Sequence, residues 1–168
     1  EGANNVQVLR NTGTSFLVTT PPLALPGTDV NPGSLAAADF DGDGDADLAA
    51  AALLSDRVHV YRNDNGTFTS LPVVSLDAPY LLRSVIAADV NLDGRPDLLA
   101  VATGLTVFRG GGSMAFEPPE TVMAGWLPQA VVVGELSGDG WPDLAVVNED
   151  SGDVSLLMSA PCQARRLE

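Results

Sequence analysis

The sequence predicts an all-β protein made of repeated four-stranded antiparallel sheets, and three observations lead there. An acidic segment, ADFDGDGDADLAAA from Ala38, returns as DVNLDGRPDLLA from Asp89 and as ELSGDGWPDLAV from Glu135. Asp39, Asp89 and Glu135 thus open equivalent loops, 50 and then 46 residues apart, a period typical of repeat architectures. Each loop lies between short runs of small and apolar residues, and no segment keeps a helical period. Those runs are bounded by Gly, Pro, Asn and Asp, the residues that stop strands and build turns.

The repeat extends beyond the loop. Strand A reads SLAAADF, SVIAADV and AVVVGEL, and strand B reads ADLAAAAL, PDLLAVAT and PDLAVVN. Strand C alternates as RVHVYRN, LTVFRGG and DVSLLMS, and a Gly-containing turn leads to strand D, GTFTSLPVVSL or MAFEPPETVMA. The first residues, NNVQVLRNTGTSFLVTT, match C and D with no A or B before them; the last repeat has A, B and C but no D. The expected organisation is one domain over 1–168, with a partial blade at 4–20, blades at 34–77 and 84–124, and a partial blade at 130–160. Ala and Gly in strand A suit an innermost strand where sheets crowd around an axis, so radial repetition gives a β-propeller. A β-sandwich with coincidental Asp-Gly turns leaves the repetition of all four strands unexplained. About three blades fall short of the usual ~4–8. The ring is therefore expected to be completed by a second copy, in a two-fold dimer of six blades, or by sequence outside the chain.

At 168 residues the chain is long enough for one domain with a real core. Its net charge of −14 argues against nucleic acid and anionic membrane surfaces as partners. Apolar stretches such as Leu48 to Leu54 are far too short to cross a bilayer. Cys162 is the single cysteine, which excludes an internal disulfide and a cysteine metal cluster. The chain opens on Glu1 rather than Met and after no signal peptide, so it reads as a processed or excised segment; Leu167 and Glu168 are set aside from the fold argument.

Asp-x-Asp-x-Asp-Gly suits calcium (Ca²⁺), which takes six to eight oxygen ligands from carboxylates and carbonyls. Alternate spacing turns side chains 1, 3 and 5 into one concavity, and Gly at 6 permits the sharp bend. In the first loop these are Asp39, Asp41, Asp43 and Gly44, with Asp45 offering its carbonyl. An EF-hand requires Glu at position 12, where the three loops carry Ala50, Ala100 and Val146, so that device is excluded. Every loop instead carries Asp at position 9: Asp47, Asp97 and Asp143. The loops hold half of the chain's 22 acidic residues, so bound divalent ions relieve a repulsion that belongs to the empty loops. Because the unfolded chain has no preformed site, calcium is expected to stabilise the folded form.

The segments D-F-D-G-D-G-D-A-D-L, D-V-N-L-D-G-R-P-D-L and E-L-S-G-D-G-W-P-D-L resemble the FG-GAP or VCBS repeat family, including the calcium-binding blades of integrin α-subunit propellers. The resemblance covers nearly the whole chain. It implies ligands Asp39, Asp41, Asp43, Asp45 and Asp47 in the first loop and Asp89, Asn91, Asp93, Arg95 and Asp97 in the second, with position 7 acting through its main-chain oxygen. In the third loop Glu135 and Ser137 depart from the pattern. Glu135, Ser137, Asp139, the Trp141 carbonyl and Asp143 are expected to bind calcium more weakly.

No phosphate loop, nucleophile elbow or Cys/His cluster appears, and the single histidine, His59, lies within strand C facing away from Val58 and Val60. The chain is therefore read as a non-enzymatic, extracellular or cell-surface binding or scaffold module. Two alternatives stay open: a calcium-dependent carbohydrate-active propeller such as a lyase, and a purely structural, self-assembling half-propeller. The family resemblance implies that the face opposite the acidic loops engages partners, an extracellular protein or a carbohydrate. There the D–A connections place Val30, Tyr80 and Trp126 at equivalent positions, with Arg83 and Gln129 three residues after the last two, and aromatics with Arg favour interfaces. Wedging of Tyr80 and Trp126 between sheets is the competing role.

Overall fold

The computed structural model describes residues 4–18, 21–28, 31–69, 74–78 and 82–159, and among them every regular element is a strand. β1 (Asn5–Val6) pairs with β4 (Leu23–Ala24), and between them β2 (Leu9–Asn11) and β3 (Phe16–Val18) form a hairpin. A four-stranded meander follows from β5 (Pro32–Ala38), β6 (Asp47–Ala52), β7 (Arg57–Tyr61) and β10 (Val74–Asp77). A short hairpin of β8 (Asn63–Asp64) and β9 (Thr67–Phe68) is inserted before its last strand. The next meander repeats the plan: β11 (Ser84–Ala88), β12 (Asp97–Val101), β13 (Leu105–Phe108) and β16 (Glu120–Val122), with β14 (Gly110–Gly112) and β15 (Ala115–Phe116) as the inserted hairpin. The last sheet holds β17 (Pro128–Gly134), β18 (Asp143–Asn148) and β19 (Asp153–Leu157). All pairings are antiparallel.

The sheets are stacked in chain order, and the two-residue side-chain period of a strand distributes each middle sheet between two cores. On β6, Ala49 and Ala51 join Val58, Val60, Val85, Leu98, Ala100 and Phe108 between the two four-stranded sheets. Ala50, from the opposite face, packs with Tyr61, Val6 and Leu23. On β12, Leu98 and Ala100 face backwards, while Leu99 and Val101 meet Val131 and Val146 of the last sheet. The alanine run of β6 would favour a helix in isolation. Burial on both faces overrides that preference, and the small side chains let neighbouring sheets approach closely. The first strands of the meanders also touch: the Ser34 hydroxyl accepts the Val85 N–H at 3.1 Å.

The structure corrects the expected D strands. The described residues of the first belong to two elements: Thr67–Phe68 folds back on Asn63–Asp64 across Asn65 and Gly66, both left-handed (φ 51° and 84°), and Val74–Asp77 pairs with β7 to complete the sheet. An Asn-Gly pair with two positive φ values is the favoured two-residue hairpin turn, which makes the hairpin a local choice of the sequence. The same division occurs at Ala115–Phe116 and Glu120–Val122. At the start of the chain the partner of β1 is Leu23–Ala24, beyond the boundary at residue 20 that the pattern suggested. His59 does face away from Val58 and Val60, yet it is wholly buried, because the N-terminal strands cover that side of the sheet. The described residues show a row of sheets and no closed ring.

Candidate metal centre

All three acidic loops join the first strand of a sheet to the second, as the repeat requires: residues 39–46 link β5 to β6, 89–96 link β11 to β12, and 135–142 link β17 to β18. In the first loop the backbone wraps around Asp39, whose Oδ1 accepts the N–H groups of Gly42 (2.7 Å) and Asp43 (3.1 Å) and whose Oδ2 accepts that of Gly44 (2.9 Å). Asp41 Oδ1 accepts the Asp43 amide and Asp43 Oδ1 the Asp45 amide. Gly44 at position 6 has φ 95°, the left-handed turn for which glycine is suited. These bonds bring Asp39, Asp41 and Asp43 together with one carboxylate oxygen of each within 4.8 Å of the others. The donors are all oxygen, the chemistry of hard divalent cations rather than of zinc or copper.

The second loop repeats the arrangement. Asp89 accepts the amides of Asp93 (3.2 Å) and Gly94 (2.8 Å), Asn91 accepts the Asp93 amide, and Asp93 accepts the Arg95 amide (2.9 Å). The Asn91 side-chain amide also donates to Asp93 Oδ2 at 3.0 Å, and that contact holds the Asp93 carboxyl below its usual range, helped by the Arg95 amide. The third loop diverges. Glu135 is exposed and takes the Gly138 amide, Ser137 Oγ lies 3.5 Å from it, and Asp139 accepts the Trp141 amide at 2.9 Å. Trp141 is half-buried.

The recurring acid at position 9 sits apart from these groups. Asp47, Asp97 and Asp143 are fully buried and tie the start of each loop to the far end of the third strand. Asp47 accepts the N–H groups of Phe40 (2.9 Å) and Asn63 (2.8 Å), and Asp97 those of Val90 (3.0 Å) and Gly110 (2.8 Å). Asp143 accepts those of Leu136 (2.8 Å), Ser137 (2.9 Å) and Ser159 (2.8 Å). Each carboxylate thereby satisfies buried amides that no ladder bond reaches. Burial pushes the Asp47 and Asp97 carboxyls up, against the pull of those amides; for Asp143 the Leu136 amide dominates and the carboxyl is lowered. In the second sheet this corner is so close that a side chain on Gly110 would collide with the Pro96 carbonyl.

Sequence reasoning missed Arg62. It directly follows β7, and its guanidinium reaches the first loop, Nε lying 2.9 Å from Asp41 Oδ2 and Nη2 3.3 Å from Asp43 Oδ2. The sequence carried only part of the signal: all eight basic residues are arginine, and Arg62 and Arg109 each directly follow a third strand, but nothing local says which carboxylates they meet. Of the residues proposed for the opposite face, Val30 and Tyr80 lie outside the described residues. Arg83 is half-buried and donates to Gln129 Oε1 at 3.0 Å; Gln129 in turn donates to Glu149. Trp126 is 77% exposed, which excludes a wedge between sheets, and its carbonyl accepts the Asp150 amide at 3.3 Å.

A row of antiparallel sheets, each carrying an acidic Asp-Gly loop between its first two strands, defines a repeat protein whose unit is the sheet with its loop. A sequence model of the FG-GAP-like repeat matches residues 2–50 and 50–100, more than half of the chain, and the chain belongs to that family. Each match ends within the strand that follows an acidic loop, β6 or β12, so each family unit closes on the second strand of a sheet. The third loop lies outside both matches. No curated protein matches the chain. No helix among the described residues is long and apolar enough to cross a membrane.

Proposed function

We propose that the chain is a calcium-binding module of β-propeller type, in which Ca²⁺ staples the acidic loops of an extracellular or cell-surface binding scaffold. The observation that carries this reading is the convergence of Asp39, Asp41 and Asp43 on a loop already shaped by its own amides. Asp89, Asn91 and Asp93 would hold a second ion and Glu135, Ser137 and Asp139 a weaker third, with the carbonyls of Asp45, Arg95 and Trp141 as further donors. The position-9 acids would act from behind, fixing the loop against the sheet, and no catalytic role is assigned to any residue. Calorimetric titration of chelator-treated protein tests the reading. Saturable calcium binding, with a rise in melting temperature that magnesium does not match, is the expected result; identical melting in calcium and in chelator overturns it.

Assembly with a second copy is supported by the outer face of the last sheet, where Val132, Val147, Val154 and Leu156 stand 48–63% exposed. The equivalent faces of the two four-stranded sheets are covered by a neighbouring sheet. Light scattering in excess calcium is expected to show a dimer. A monomer at high concentration removes a second copy as the occupant of that face.

A further inference from the structure

We propose that Arg62 is a built-in competitor for the cation site of the first acidic loop, neutralising the loop when the metal is absent and lowering its affinity for calcium. This inference rests on the calcium reading above. The geometry is specific to one loop. The guanidinium bridges positions 3 and 5, on Asp41 Oδ2 and Asp43 Oδ2, and a cation held by Asp39, Asp41 and Asp43 draws on the same carboxylates. In the second loop the counterpart Arg109 pairs with Glu120, at 3.3 Å, and acts on Asp93 only through space, while Asp93 Oδ2 is taken by the neutral Asn91 amide. The third sheet has Met158 at the corresponding position.

The backbone around Arg62 is clamped while its side chain can move. On one side the Tyr61 ring is buried and its hydroxyl donates to the Ala24 carbonyl at 2.9 Å; on the other the Asn63 amide is held by Asp47. The side chain is 47% exposed and lies against an open cleft of about 370 Å³ lined by Asp41, Gly42, Asp43, Ser113 and Met114, which leaves space for it to swing aside. Asp41 is nearly covered by this contact, with 9% of its side chain exposed. The loop with the most carboxylates thus carries its own counter-ion. Part of the affinity expected from five aspartates is offset by the need to displace it. Displacing a positive charge from two of the cation's carboxylates opposes binding, by about tenfold in affinity at low salt and less as salt screens it.

The test is calcium titration of the full chain with the second and third loops disabled by Asp93→Asn and Asp139→Asn, so that only the first loop responds. Adding Arg62→Gln is expected to tighten binding by about tenfold at low salt and to lower the melting temperature in chelator. Arg62→Lys, which keeps the charge and loses the fork, should fall between. Arg109→Gln should leave the first-loop affinity within twofold. Unchanged or weaker binding in the Arg62→Gln protein overturns the inference and leaves the calcium reading standing. Equal tightening by Arg109→Gln overturns it in favour of a net-charge effect. No calcium binding with either residue at position 62 overturns both readings together.

Discussion

In the first acidic loop Asp39 is half-buried and holds the amides of Gly42, Asp43 and Gly44; in the third, Glu135 is exposed and holds the Gly138 amide beside the Ser137 hydroxyl. The backbones are alike, with positions 4 and 6 left-handed in both: Gly42 and Gly44, Gly138 and Gly140. One extra methylene therefore changes the loop without changing its path. The longer side chain moves outward, the Gly140 amide is not among its partners as Gly44 is for Asp39, and the buried Asp143 accepts the Ser137 amide beside that of Leu136. The two loops share a frame, made by position 9 and the turn residues. They differ in the carboxylate group that stands within it.

The largest effect comes from breaking the shared frame. Asp47→Ala orphans the buried amides of Phe40 and Asn63 and should cost about 3 kcal/mol in urea unfolding without calcium, with Asp47→Asn roughly half as damaging. Asp143→Ala should cost as much, although its loop is the one proposed to bind calcium more weakly; a cost confined to calcium-containing buffer would assign position 9 to the metal instead. Next comes rebuilding the third loop in the image of the first: Glu135→Asp with Ser137→Asp should tighten its calcium binding by about tenfold in calorimetric titration, since charge count and reach set affinity in such loops. The second loop offers a smaller, purely conformational check. Leu92 stands at position 4 with φ 58°, where the other loops have glycine, so Leu92→Gly should stabilise the protein by about 0.5–1 kcal/mol in thermal melts.

Protonation separates the frames in the opposite order. Burial raises the Asp47 and Asp97 carboxyls, so their favourable contribution is present at acid pH and lost as pH rises through the raised values. The Asp143 carboxyl is lowered, so its contribution is present above the unfolded-state value and lost as pH falls through the folded one. Carboxyl ¹³C titration without calcium should show Asp143 titrating last on acidification. The smallest effect is expected at Trp126: with 77% of it exposed, Trp126→Ala should change stability by less than about 0.5 kcal/mol, while loss of binding to any partner captured by the protein would place that partner on the face opposite the loops.

The repeat, the all-β class and the loop residues at positions 1, 3, 5 and 6 were legible in the sequence because they are local. Spacing alone sets which side chains share a concavity, and Asp-Gly and Asn-Gly pairs fix their own turns. The position-9 aspartates were legible as a pattern but not as a role: their partners Asn63, Gly110 and Ser159 are 13 to 16 residues away and meet them only once the third strand has paired. The Arg62 contact with Asp41 and Asp43 was hidden for the same reason, as was the burial of His59, which depends on strands near the start of the chain. Likewise the alanine run of β6 becomes a strand because sheets close on both of its faces. Local propensity and spacing decided what the units are; long-range pairing decided which acids are buried against the third strand and which stay at the open loop with local amides and Arg62 for partners, because those distant partners exist only in the folded stack.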